Sequence, residues 1–158
     1  AGAELGHTVI MVDGEQCTCG RKGCWEAYAS ATALIRLTKA EMEKSPESKM
    51  FDLCDGKIEK VNGRTAFDAS KNGDEAGKRV VDKYIRYVAE GITNIINIFQ
   101  PEELVIGGGV CNEGEYLLKP IRDFINENQY VKDLKVTEVS IARLGNDAGI
   151  IGAAMLGI

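Results

Sequence analysis

Glu103-Leu104-Val105-Ile106-Gly107-Gly108-Gly109 decides the fold class. A short apolar run bounded by Pro101 and a glycine triplet reads as a short buried strand emptying into a loop. Before it, Val81, Ile85, Val88, Ile92, Ile95 and Phe99 recur at three- and four-residue steps, which predicts a long helix that Asp74 can cap and Pro101 closes. After it, the pattern predicts a helix from about Tyr116 to Asn128, a second strand from Lys135 to Ala142, and a final helix beginning at Asp147. In that last helix Gly149, Gly152, Ala153 and Ala154 permit close approach to a packing partner. Strand into glycine loop into helix, followed by another strand, is an α/β arrangement.

Further toward the amino terminus the signals are more local. Ala1 to Met11 is glycine-punctuated and then extended, with Thr8, Val9, Ile10 and Val12 favouring a strand. Cys17 to Cys24 is a tight loop. Ala29, Ala33, Leu34 and Leu37 predict a helix from Trp25 to roughly Glu43, which ends near Ser45-Pro46 and places Glu26 in its first turn. Residues 46–63 are polar and without period, and no chemistry is assigned to them. Thr65, with Asp68 three residues on, can cap a short helix. No internal repeat and no low-complexity tract is present.

With 158 residues, 44% of them hydrophobic, the chain suits one core and one domain. A net charge of -5 and a pI near 5.0 argue against nucleic acid and anionic membrane as partners. No apolar run approaches the roughly 18 residues of a membrane span, and nothing resembles a signal peptide, so a soluble intracellular protein is expected. The chain starts at Ala1, has its first methionine at Met11, and reads as functional sequence from Glu4; it is expected to be a fragment whose amino-terminal part is missing.

Five cysteines are too few for a disulfide scaffold in a chain of this length, and three of them fall between positions 17 and 24. His7, Cys17, Cys19 and Cys24 supply the imidazole and thiolates that zinc prefers, and four protein ligands make a closed structural site rather than one that activates water. Incidental or redox-active cysteines are the competing reading, since Cys17-Thr18-Cys19 is not the two-residue-spaced pair of ordinary zinc fingers. The other two, Cys54 and Cys111, read as small packing residues.

The run Ala3-Glu4-Leu5-Gly6-His7, followed by Cys17-Thr18-Cys19-Gly20-Arg21-Lys22-Gly23-Cys24-Trp25-Glu26-Ala27-Tyr28-Ala29-Ser30, resembles the ROK family of bacterial sugar kinases and repressors. The likeness continues through Pro101 to Val110 and through Leu144-Gly145-Asn146-Asp147-Ala148-Gly149 to Ala154, nearly the whole chain, and is to the family's ATP-dependent glucokinases of Gram-positive bacteria. The resemblance implies the carboxy-terminal part of an actin-like ATPase (ribonuclease H-like) lobe with an inserted zinc-binding loop. Residues 1–30 would be the sugar- and zinc-binding segment, and 101–158 the nucleotide-side strand, glycine loop and closing helices.

By the same resemblance Glu4, His7 and Glu26 contact sugar hydroxyls. Carboxylates accept charge-assisted hydrogen bonds from such donors, and one ring nitrogen of His7 can bind metal while the other faces the sugar. Without the family, Glu4 and Glu26 read equally well as solvated charges, or Glu26 as an acid at a helix start. The family also places Gly107, Gly108 and Gly109 near the adenosine of ATP; a bare triplet is otherwise a plain turn, lacking the phosphate-loop lysine and the dinucleotide fingerprint.

In the family the catalytic aspartate and the phosphate loop precede the segment matching Ala1, so no catalytic residue is named and the chain alone is expected to be inactive. The implied whole protein is a cytoplasmic homo-oligomer, dimer or tetramer, that uses MgATP to convert glucose to glucose 6-phosphate. The alternatives are a sugar-responsive ROK repressor with a DNA-binding head, a kinase for another hexose such as N-acetylmannosamine, and a zinc-stabilised interaction module with no ligand.

Overall fold

Helix α4, Glu75–Phe99, is the axis of the molecule, and α2 (Ala31–Met42), α3 (Thr65–Lys71) and α5 (Glu115–Asn128) all pack against it. The structure, a computed structural model, describes residues 2–130, 137–143 and 147–155. The remaining elements are α1 (Glu26–Ala29), β1 (Glu103–Ile106), β2 (Glu138–Ile141) and α6 (Asp147–Met155). Strands β1 and β2 pair in parallel, Leu104 against Val139 and Ile106 against Ile141, with α5 as the crossover, so the α/β reading holds. The start of the second strand at Lys135 and the run Leu144-Gly145-Asn146 lie outside the described residues.

The α4 stripe builds the core through Val81, Tyr84, Ile85, Val88 and Ile92, against Leu34 and Met42 from α2, Phe67 from α3, and Leu117, Ile121 and Ile125 from α5. Each large apolar side chain withdrawn from water in this way is worth about 1.5–3 kcal/mol. At the end of α4 the stripe continues through Ile96 and not Phe99, which is 63% exposed; the 100° advance per residue has by then turned Phe99 off the packed face.

Asp74 caps α4 as expected and does more. Its carboxylate accepts from the amides of Gly77 (2.6 Å) and Lys49 (2.8 Å) and from the Ser48 hydroxyl (3.0 Å), which ties the irregular 46–63 segment to the helix start. Burial pushes this carboxyl up, but the three hydrogen bonds outweigh it and hold it below its ordinary value.

Several sequence expectations need correction. The predicted strand over Thr8 to Val12 is absent, and Val9 makes only an isolated antiparallel bridge to Cys24. The helix from Trp25 to Glu43 is two helices, broken at Ser30, whose extended backbone and Oγ cap α2 through the Ala33 amide. Thr65 is the first residue of α3 and does not cap it; its hydroxyl accepts from the Asn62 amide instead. Strand β1 is not buried. Its side chains alternate between exposed and half-buried, and Val105 is 52% exposed, because among the described residues one parallel pair has no second layer over both faces. In α6, residues 150–155 are exposed, and a Cβ on Gly152 would meet no atom within 4 Å among the described residues; the side chains of 147–149, Gly149 of the expected close packing included, lie outside them. Among the described residues no helix is long and apolar enough to cross a membrane.

Candidate functional site

A 3-10 turn, Leu5–His7, opens the site, with the His7 amide bonded to the Glu4 carbonyl (3.1 Å) and the Thr8 amide and hydroxyl both on the Leu5 carbonyl. The chain then runs back along residues 22–25. Ile10 bonds the Gly23 carbonyl (2.9 Å) and Trp25 bonds that of Thr8 (2.8 Å), while Cys17 reaches the Arg21 carbonyl (2.9 Å). This crossing requires Gly23: its φ is +79°, and a Cβ there would collide with the Met11 carbonyl. It is the backbone, therefore, that carries His7 to Cys24 and closes the Cys17–Cys24 loop beneath them.

The ligand atoms of His7, Cys17, Cys19 and Cys24 all lie within 4.8 Å of one another. Cys17 Sγ is 3.5 Å from His7 Nδ1, and Cys19 Sγ is 3.6 Å from Cys24 Sγ. Metal–sulfur bonds of about 2.3 Å and metal–nitrogen bonds of about 2.0–2.1 Å put tetrahedral corners about 3.5–3.8 Å apart, which these two pairs match, so three thiols and an imidazole here are compatible with one ion. The thiols are already unequal. Cys17 is drawn down to about 7, first by the Cys19 amide working against burial, whereas burial first, and then the Cys19 thiol, push Cys24 up to about 11. A bound cation would replace the protons on both.

The loop is fastened to the core by residues that sequence reasoning assigned no role. Trp25, directly after Cys24, donates from Nε1 to the Tyr87 carbonyl (2.8 Å) and lies flush against Gly91 of α4. The Tyr28 hydroxyl accepts from the Glu15 amide (2.6 Å), and its ring packs against that of Tyr87 at 4.8 Å with the planes tilted by 50°. Arg36 donates to the Ala27 carbonyl (2.8 Å) and pairs with Glu15 (2.7 Å). The only available signal was that the sole tryptophan follows the last cysteine of the loop.

Glu26 opens α1 and is partly buried, with its Oε1 receiving the Thr18 hydroxyl at 3.4 Å and its Cβ lying over Gly6. The carboxylate is thereby placed between the Cys17–Cys24 loop and the His7 turn, where the helix start also favours a negative charge. Glu4 is exposed at the head of that turn. Gly107, Gly108 and Gly109 form an exposed loop after β1. Cys111 closes it, the amide on the Gly108 carbonyl (3.1 Å) and the thiol on the Ile106 carbonyl (3.2 Å), so this cysteine is a brace and not only packing. Burial raises its thiol above the ordinary range. An apolar groove of about 620 Å³ is lined both by Leu5 and Trp25 and by Leu104, Ile106 and Gly107, and so joins the His7 turn to the glycine loop. Its lining is too apolar for a hexose; the polar chemistry lies at its ends.

The ROK family model matches residues 1–158. The chain is 37% identical to a glucokinase of Thermotoga maritima over 155 residues, 98% of this chain and 49% of that protein. It superposes with a TM-score of 0.88 and 33% identity on a ROK family glucokinase from Streptomyces griseus in complex with glucose and AMPPNP, covering 99% of this chain and 51% of that one. A ROK family transcriptional regulator, homologous to the E. coli MLC protein, gives a TM-score of 0.75 at 31% identity over 98% of this chain and 38% of its own. The chain thus spans about half the length of the curated relatives it matches.

Proposed function

The chain belongs to the ROK family, and on that premise we propose that the full-length protein is a glucokinase that phosphorylates glucose to glucose 6-phosphate with MgATP as the donor. The observation that supports this best is the TM-score of 0.88 over 99% of the chain to a glucokinase holding glucose and AMPPNP. In this reading the chain is the carboxy-terminal lobe of a two-lobed, actin-like cytoplasmic kinase, with the sugar and metal on residues 1–30 and the nucleotide side on 101–158.

The metal proposed for His7, Cys17, Cys19 and Cys24 is zinc, in a structural role, because the donor set is three sulfurs and one imidazole in a closed arrangement. His7 turns Nδ1 toward Cys17, which leaves Nε2 to bond a sugar hydroxyl in an orientation fixed by the metal. Glu26 and Glu4 accept hydrogen bonds from further hydroxyls, each stronger than a neutral pair because the acceptor is charged. At the other end of the groove the missing side chains of Gly107, Gly108 and Gly109 let adenosine approach the backbone. MgATP supplies the phosphoryl group and the cation that neutralises charge on it. The residues assigned in this way bind and orient the two substrates; none is assigned as the general base.

The test is formation of glucose 6-phosphate by the full-length protein from glucose and MgATP, with N-acetylmannosamine and allose as competing acceptors. Turnover of glucose supports the proposal. Phosphorylation of another hexose moves the substrate and keeps the reaction class, and no turnover of any hexose by metal-replete protein overturns it. A second reading, a sugar-responsive repressor, is favoured by the likeness to the ROK regulator. It requires that the full-length protein bind a DNA operator and release it on adding sugar.

A further inference from the structure

We propose that Lys71 is a positioning residue for the nucleotide: its ion pair with Glu113, backed by the Ser70–Tyr116 hydroxyl pair, fixes the conformation of the Gly107–Gly109 loop. The inference rests on the kinase reading, in which that loop faces adenosine. It adds a residue from α3, an element with no assigned part in binding.

Glu113 ends the 3-10 turn Gly109–Glu113, which begins at the third glycine of the triplet. Its side chain is only 6% exposed, and its carboxylate is met by Lys71 Nζ, on a side chain that is 40% exposed. A carboxylate so far removed from water needs a partner, which makes this pair different in kind from the surface pairs elsewhere on the helices. Lys71 Nζ also stands 5.4 Å from the centre of the Tyr116 ring, within cation–π range. The Tyr116 hydroxyl lies 2.8 Å from Ser70 Oγ, and its ring packs edge-on against the fully buried Phe67. Two adjacent residues at the end of α3 therefore grip the chain on both sides of Gly114, where the turn becomes α5.

The consequence for the loop is conformational. Three successive glycines have the greatest backbone freedom to lose, and any ligand that needs one arrangement of them must pay for their ordering. Strand β1 fixes the start of the loop, Cys111 closes its middle, and the Lys71–Glu113 pair holds its far end. Release of that end should weaken the nucleotide and leave the sugar segment alone, because Trp25 and Arg36 anchor the latter independently.

The experiment uses the full-length enzyme with steady-state kinetics and thermal melting for Lys71→Met, Lys71→Arg, Glu113→Gln and the double variant Lys71→Met/Glu113→Gln. K71M is expected to raise KM for MgATP by about tenfold, within the range over which residues without ligand contact modulate affinity. KM for glucose, and kcat at saturating nucleotide, should stay at the wild-type values. K71R should restore KM for MgATP, and the double variant should be no worse than the worse single one, since both remove the same contact. E113Q keeps the shape and drops the charge, and gives the same readout should K71M fail to fold. If both KM values move together, or neither moves while the melting temperature falls, the pair is merely structural and the proposal is overturned. If the wild-type enzyme phosphorylates no hexose, the kinase reading fails and takes this inference with it, a result visible before any variant is made.

Discussion

Gly91→Ala sets two physical effects against each other, and the sign of the outcome shows which governs the site. Gly91 lies in the interior of α4, where replacing glycine by alanine ordinarily stabilises a helix by about 0.5–1 kcal/mol. In this helix the added Cβ would fall on Cε2, Cδ2 and Nε1 of Trp25, far inside the roughly 3.5–4.0 Å at which carbon atoms rest against each other. The indole cannot yield without lengthening its 2.8 Å bond to the Tyr87 carbonyl, a loss of about 1 kcal/mol. Overpacking of this kind costs about 1–3 kcal/mol more. Set against the propensity gain, the net expectation is destabilisation by roughly 1–3 kcal/mol. Because Trp25 sits between Cys24 and Glu26, its displacement should also loosen the Cys17–Cys24 loop. The assay is urea unfolding of the metal-loaded protein, with the rate of thiol appearance under a chelator as the local readout. Trp25→Leu in the same background should recover part of the loss by clearing the ring. If Gly91→Ala proves neutral or stabilising and the thiols remain as protected as in wild type, Trp25 does not anchor the loop, and the proposed metal site holds its shape without α4.

Metal analysis of freshly reduced protein should find about one zinc per chain, with three additional reactive thiols after chelation; no metal, with every thiol reacting at once, would remove the proposed zinc. Glu26→Gln in the full-length protein should weaken sugar binding by about 1.5–3 kcal/mol, roughly 10- to 150-fold by titration, with metal content unchanged; unchanged affinity would return Glu26 to the role of a helix-start acid. Asp74→Ala should cost at least the roughly 0.5–2 kcal/mol of a lost cap. Because its folded pKa is depressed, the Asp74 contribution is complete above the ordinary carboxylate pKa and fades as pH falls through the folded value. The stability gap between wild type and Asp74→Ala should therefore narrow in acid, and a gap that stays constant or widens there would show that the carboxylate charge is not what caps α4.

What the sequence disclosed follows the range of the interactions involved. The α4 stripe, the Asp74 cap and the strand-to-glycine step are encoded by residues within a few positions of one another, and each is found at its place. The break at Ser30 was open to the same local reading: a serine whose side chain can reach the amide three residues on is a cap, but the apolar spacing continued across it and concealed the stop. Thr65 shows the converse, a good capping residue whose hydroxyl is taken by Asn62 instead.

The site divides in the same way. Donor type and spacing around Cys17–Cys24 carried the four candidate ligands, and the backbone crossing at Gly23 is what brings His7 to them. The supports were not legible, because each is a contact between distant parts of the chain. Trp25 reaches Tyr87 and Gly91, and Lys71 reaches Glu113. Periodicity marks Gly91 only as a weak point in a helix, and nothing local distinguishes Lys71 from the other lysines of a charged surface. Only packing gives these residues their meaning: a missing Cβ makes room for an indole, and a buried carboxylate turns one surface lysine into a fixed partner. Residue type and spacing can thus nominate the groups that would touch ligand, whereas the groups that hold them still become visible only when the helices are in place.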